Sequence, residues 1–207
     1  MTFPIPPDEP GRLAALRSLQ ILDTMPAREF DSLVRLAREF LRVPISAISL
    51  VDEHRQWFKA IEGLDCKETE REIAFCAHTI CSAEPLIVRD ATRDDRFRGN
   101  LLVRESPKIR FYAGIPLQLA DGFRLGSLCV MDTKPRTITE SELACLRHLS
   151  ELTIALLCNH ARSLQTNQQA KIIEEQEQRL VRNNKLLESA CELGKLGAWE
   201  RDIATGQ

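Results

Sequence analysis

The chain has 207 residues, 43% hydrophobic and 28% charged, with a net charge of −2; that is one domain of common size plus an extension, and the scattered charge offers no basic stripe for nucleic acid. No apolar run nears the ~20 residues that cross a bilayer, and the proline-rich, acidic start MTFPIPPDEPGR does not read as a signal peptide. Seven cysteines, odd in number and without a CxxC pair, argue against a disulfide framework and a structural zinc site, so reduced thiols, a cytoplasmic location and neither nucleic acid nor membrane as partner are expected.

After a flexible lead over residues 1–11, Leu13, Leu16, Leu19 and Leu22 predict a helix from Arg12 to Leu22, ended by Asp23-Thr24-Met25-Pro26. A second helix is expected from Ala27 to Leu41, with Phe30, Leu33, Val34, Ala37, Phe40 and Leu41 on one face. Ile45 to Val51 and Gln56 to Ile61 are rich in β-formers and predict a hairpin across Asp52–Arg55, and Glu62 to Glu72 reads as a charged loop. Ile73 to Ala83 predicts a short buried helix bearing Cys76, His78 and Cys81, followed by a strand from Pro85 to Arg89, a capped turn leading to Phe97, and a loop from Arg98 to Lys108.

Arg110 to Asp132 organises the rest. It reads as two strands joined by a two-residue turn at Asp121-Gly122, which pairs Phe111 with Asp132, Ala113 with Val130 and Ile115 with Leu128. One face, Phe111, Ala113, Ile115 and Leu117 with Val130 and Leu128, is aliphatic and needs a cover of helices. The other, Tyr112, Gly114, Pro116 and Gln118 with Met131, Cys129, Ser127 and Leu125, is small, soft and polar, and predicts the floor of a ligand chamber.

Thr139 to Glu142 is a capping box that opens a helix without a breaker before Gly194. Its first half is apolar. From Ala161 to Ser189 the apolar residues thin to Ile173, Leu180 and Leu187 at seven-residue spacing, the pattern of a weak parallel dimer stalk. Leu193 to Gly206 reads as a strand entering a turn, the start of a further domain.

The segments ILDTMPAREFD (from Ile21), VPISAISLVDEHRQWFKA (from Val43), FCAHTI (from Phe75), DATRDDRF (from Asp90), IRFYAGIPL (from Ile109) and LGSLCVMD (from Leu125), in this order, resemble the GAF domains that open bacterial sensor histidine kinases and diguanylate cyclases. The tail LGAWERDIATG resembles the first strand of a PAS domain. The resemblance implies an α+β fold: a central antiparallel sheet, helices on one face that dimerise, a ligand pocket on the other, and a long C-terminal signalling helix. The expected divisions are the lead, a sensory domain over 12–162, a signalling helix over 163–191 and the start of a PAS-like domain over 192–207.

Candidate pocket residues are Cys76, His78, Asp90, Arg96, Arg110, Tyr112, Ser127 and Cys129. His78 and the arginines offer hydrogen bonds or a bidentate clamp for an anion. Cys76 and His78, two residues apart on a helix, point away from each other and do not share one small ion. The Asn-Lys-Phe-Asp-Glu set of cyclic-nucleotide-binding GAF domains is not found, and Ala77 separates Cys76 from the histidine that directly follows a bilin-attachment cysteine, so neither bilin, haem nor metal is expected. Two classes of function stay open. One is a noncatalytic, homodimeric sensor or dimer platform, with or without a small-molecule ligand, that acts through its helix on downstream PAS and output domains. The other is a thiol-based methionine sulfoxide reductase with Cys66, Cys76 and Cys129 as candidate thiols.

Overall fold

A computed structural model describes residues 3–205, with side chains through residue 190. Helix α1 spans Glu9–Ser18, three residues earlier than the leucine pattern places its start, because the Asp8 carboxylate accepts from the Gly11 N–H and Pro10 occupies the first turn. Helix α2, Arg28–Leu41, lies where its apolar stripe predicts it and closes on Arg42 in the left-handed conformation.

Strands β1 (Ile45–Val51) and β2 (Arg55–Glu62) form the expected hairpin. Its register shifts so that Lys59 has no partner between Phe58↔Ser49 and Ala60↔Ile48. The segment expected to be a loop holds β3 (Glu68–Glu70), which pairs with β2, and a 3-10 turn over Arg71–Ile73. The buried helix shrinks to α3, Phe75–Thr79; β4 is Leu86–Val88, and the loop expected after Phe97 contains α4, Leu101–Arg104, capped by Asn100.

The central hairpin, β5 (Phe111–Gln118) and β6 (Arg124–Asp132), has the expected register from Phe111↔Asp132 to Pro116↔Ser127 and then slips by one at a bulge, to Gln118↔Arg124. The two-residue turn is therefore corrected to a three-residue one: Leu119 and Phe123 pair, and Gly122 takes a φ of +92°. The extra residue turns Leu125 from the polar face to the helix-covered one.

The six strands form one antiparallel sheet in the order β3-β2-β1-β6-β5-β4. On one face Leu16 of α1, Phe30, Val34 and Leu41 of α2, and Leu146, Leu149 and Leu157 of the last helix bury Ile48, Leu50, Trp57, Phe111, Ile115, Leu128 and Val130. On the other, α3 and the segment from Ala91 to Ile109 cover a second core of Ala47, Val51, Phe58, Phe75, Phe97, Tyr112 and Cys129.

The last helix, α5, spans Glu140–Thr205. Its capping box is made in full: Thr139 N–H donates to Glu142 Oε2 at 2.8 Å and Glu142 N–H to Thr139 Oγ1 at 3.2 Å. The strand expected from Leu193 is corrected, since α5 is helical through Thr205, while Gly206 and Gln207 lie outside the described residues. A strand needs a neighbour to take its backbone hydrogen bonds, and a helix supplies its own. The chain divides into two units, one ending at Ala161 and one beginning at Arg162. Among the described residues no helix is long and apolar enough to cross a membrane.

Candidate functional site

The alternation along β5 and β6 puts Tyr112, Ser127 and Cys129 on the α3-covered face, and α3 lays Cys76 over them. Cys76 Sγ stands 3.9 Å from Cys129 Sγ. The Tyr112 hydroxyl lies 3.4 Å from Cys76 Sγ, 3.3 Å from Ser127 Oγ and 2.7 Å from Thr79 Oγ1. Sequence register alone does not reveal Thr79 or Ser49 as members; Ser49 enters because β1 pairs it with Ser127 across the sheet.

The chamber expected at these residues is filled. Tyr112, Ser127 and Cys129 are fully buried and Cys76 is 2% exposed. The Tyr112 ring stacks on Phe75 (centroids 5.1 Å apart), which stacks on Phe97 (4.1 Å). Gly114, read from sequence as a place of close approach, admits Tyr112 itself: a Cβ there would lie 2.2 Å from the Tyr112 hydroxyl.

Electrostatics separates the two thiols. Burial pushes the Cys76 thiol up, but hydrogen bonding by Cys129, Ser127, Ser49 and Tyr112 outweighs burial and brings its pKa down to about 6. Ser49 Oγ has no hydrogen-bond partner, so the lowering falls chiefly to Cys129, Ser127 and Tyr112. Cys129 is pushed well up, by its hydrogen bond to Cys76 and by burial, and Tyr112 is raised by burial and by both cysteines. One thiol of the contact pair is thus the acidic one and the other stays protonated.

The remaining candidates form a rim or stand apart. His78 is half-buried, its ring edge-on to Phe97 at 4.7 Å, and its pKa is lowered by burial and by Arg96. Arg96 grips Asp94 with two hydrogen bonds of 2.9 and 2.6 Å and lies over Phe97, so its fork is already engaged. Asp90 accepts from the Thr92 N–H and hydroxyl and closes a turn. Arg110 donates to the carbonyls of Val103 and Ile109, tying the loop to the start of β5. Cys66 is half-buried, and its thiol is pushed up by burial. The fold therefore brings Cys76, Tyr112, Ser127 and Cys129 into contact, while Asp90 and Arg110 are engaged in local hydrogen bonds.

A cavity of about 440 Å³ lies elsewhere, between Asp23–Pro26 and Trp57, Lys59 and Lys67. Its base is the bulged Lys59, whose ammonium donates to Thr24 Oγ1 at 2.9 Å and the Met25 carbonyl at 2.8 Å.

Tyr112→Phe leaves Thr79 without its hydroxyl partner and is expected to cost about 1 to 2 kcal/mol in urea unfolding. It also removes one of the groups that hold down the Cys76 pKa. The pH midpoint for alkylation of Cys76 by iodoacetamide therefore rises; an unmoved midpoint would show that Tyr112 does not act on this thiol.

A family model for the GAF domain matches residues 26–156. A cyclic di-GMP phosphodiesterase of Pseudomonas aeruginosa is 43% identical over 155 residues, which are 74% of this chain and 26% of that protein. The chain thus spans about a quarter of the length of that relative. The fold is that of the GAF domain of a Coxiella burnetii phosphoenolpyruvate-protein phosphotransferase, with a TM-score of 0.55 at 20% identity over 75% of this chain and 96% of that one. The type II free methionine-R-sulfoxide reductase of Thermoplasma acidophilum gives a TM-score of 0.53 at 12% identity over 64% of this chain and 92% of that one.

Proposed function

This chain belongs to the GAF domain family, and from that premise we propose that it is the input module of a multidomain bacterial signalling protein. In this reading the module works as a homodimer and passes its state along α5 to a downstream PAS-like region and an output domain. The 43% identity to part of a cyclic di-GMP phosphodiesterase carries the proposal, and favours cyclic di-GMP turnover over a histidine kinase as the output. The dimer reading draws support from α5, where Ile173, Leu180 and Leu187 stand exposed at seven-residue spacing. A ligand that shifts α5 packing acts only by its differential affinity for the two arrangements. The candidate binding cluster remains Cys76, His78, Tyr112, Ser127 and Cys129, with the Phe75 ring stacked on Tyr112 and Phe97 stacked on Phe75.

The test uses the full-length protein. Removing residues 12–162 is expected to abolish or unleash its output, read as cyclic di-GMP hydrolysis, cyclic di-GMP synthesis and histidine autophosphorylation; unchanged output in all three assays overturns the reading. L180D together with L187D is expected to raise the dimer Kd of the chain a hundredfold or more, because each buried leucine contributes about 1.5 to 3 kcal/mol. A wild-type chain that sediments as a monomer at high micromolar concentration ends the stalk idea. The Cys76–Cys129 contact favours a second reading, a thiol-based methionine sulfoxide reductase, and turnover of methionine sulfoxide with a dithiol reductant decides it.

A further inference from the structure

We propose that Cys76 and Cys129 form an oxidation site at which a hydroperoxide converts the two thiols into a reversible disulfide that ties α3 to β6. The inference deepens the sensory reading and rests on it: the stimulus is a reaction at the second core, in place of a ligand bound in a preformed chamber.

The geometry carries it. The two sulfurs touch at 3.9 Å, and among the described residues no other pair of cysteine sulfurs is in contact. Their partners come from elements 53 residues apart in sequence, so a bond between them would link the one-turn helix α3 to a strand at the centre of the sheet. Closure from 3.9 Å to the ~2 Å of a sulfur–sulfur bond requires α3 and β6 to approach one another. Hydrogen peroxide is small enough to enter when α3, with few backbone hydrogen bonds of its own, opens locally.

The chemistry balances. Cys76, the more acidic thiol, attacks the near oxygen of the peroxide; the O–O bond breaks, hydroxide leaves and takes the Cys76 proton as water, and Cys76 becomes a sulfenic acid. Cys129 then attacks the Cys76 sulfur; the S–O bond breaks, and the hydroxyl leaves as water with the Cys129 proton, within reach of the Tyr112 and Ser127 hydroxyls. Two thiols are oxidised and one peroxide is reduced to two waters.

The experiment exposes the full chain to a few equivalents of hydrogen peroxide and maps the thiols by mass spectrometry. A peptide joining Cys76 to Cys129, two hydrogens lighter than the separate peptides and released by dithiothreitol, is expected. Cys129→Ser should halt the reaction at a Cys76 sulfenic acid captured by dimedone, and Cys76→Ser should slow oxidation of Cys129 at least tenfold; Cys76→Ala serves equally if the serine variant folds poorly. A folded wild-type chain in which Cys76 and Cys129 stay free while Cys66 and Cys158 oxidise overturns the proposal. That result would leave the input-module reading standing, since deletion of residues 12–162 from the full-length protein judges the latter separately.

Discussion

Gly126→Ala is expected to lower the unfolding free energy by about 3 kcal/mol or more, or to prevent folding. Gly126 sits in β6 opposite Leu50 of β1, beside the bulge in the β5–β6 pairing. A Cβ there would stand 1.9 Å from the Ser49 carbonyl oxygen and 2.8 Å from the Leu50 Cα. Both are backbone atoms of the neighbouring strand, so no side chain can rotate away; β1 and β6 must part, and their ladder with them. The ladder joins the two halves of the sheet, so the loss is cooperative. Equilibrium urea unfolding measures it, with Gly122→Ala as the contrast. Gly122 has open space around its Cβ position, and its positive φ of +92° limits the cost there to backbone strain of about 1 kcal/mol. If Gly126→Ala unfolds at the wild-type urea midpoint, the close strand approach is wrong.

Glu9→Gln is expected to cost about 3 to 5 kcal/mol, the range for removing one partner of a buried ion cluster. Glu9 receives Arg12 through Nε at 2.8 Å and Nη2 at 2.6 Å, and Arg71 through Nη1 at 2.6 Å. Both guanidinium groups are almost fully buried. Arg12 also donates to the Val51 carbonyl, and Arg71 to those of Asp52 and Glu53, so the cluster fastens α1 to the β1–β2 hairpin. Neutral glutamine leaves two buried cations facing each other. The pH dependence tests the same point. Burial pushes the Glu9 carboxyl up, but hydrogen bonds from Arg12 and Arg71 and their charges outweigh it and hold its pKa below the ordinary 4.5. A depressed carboxyl stabilises the fold above its unfolded value and loses that contribution as pH falls through the folded value. The stability gap between wild type and Glu9→Gln should therefore hold from neutral pH to about 5.5 and narrow below about 4.5. A gap of the same size at pH 3 as at pH 5.5 would rule out the Glu9 charge as its source.

Neither of these two positions declares itself in the sequence. Gly126 lies in a strand that reads as ordinary alternation, and the approach of Ser49 becomes visible only when β1 is laid beside β6. Arg12 reads as one more polar residue at a helix start, and Arg71 falls in what reads as a charged loop. Lys59 likewise looks like the outward residue of a strand until the bulge in β2 turns it toward Thr24. What was legible in the candidate site was the face. Period-two alternation put Tyr112, Ser127 and Cys129 together without any knowledge of the sheet's neighbours. Illegible was what would cover them, because Phe75 and Phe97 arrive from segments whose reading as helix and turn carries no direction.

The amino-acid pattern alone settled whatever depends on near neighbours along the chain. The apolar stripe made α2, runs of β-forming residues made β1 and β2, alternation made β5 and β6 with the helix-facing side of the central hairpin, and a hydroxyl three residues before a glutamate made the start of α5. Tertiary structure decided what depends on distant segments meeting: the third strand on the edge of β2, the bulge that moves Leu125 to the helix-covered face, the Glu9–Arg12–Arg71 cluster, and the contact of Cys76 with Cys129. The reason is physical. Helical periodicity, strand alternation and caps reflect backbone geometry within a few residues, whereas burial, hydrogen-bond satisfaction and the charge of a thiol are set by atoms that only the fold brings within reach.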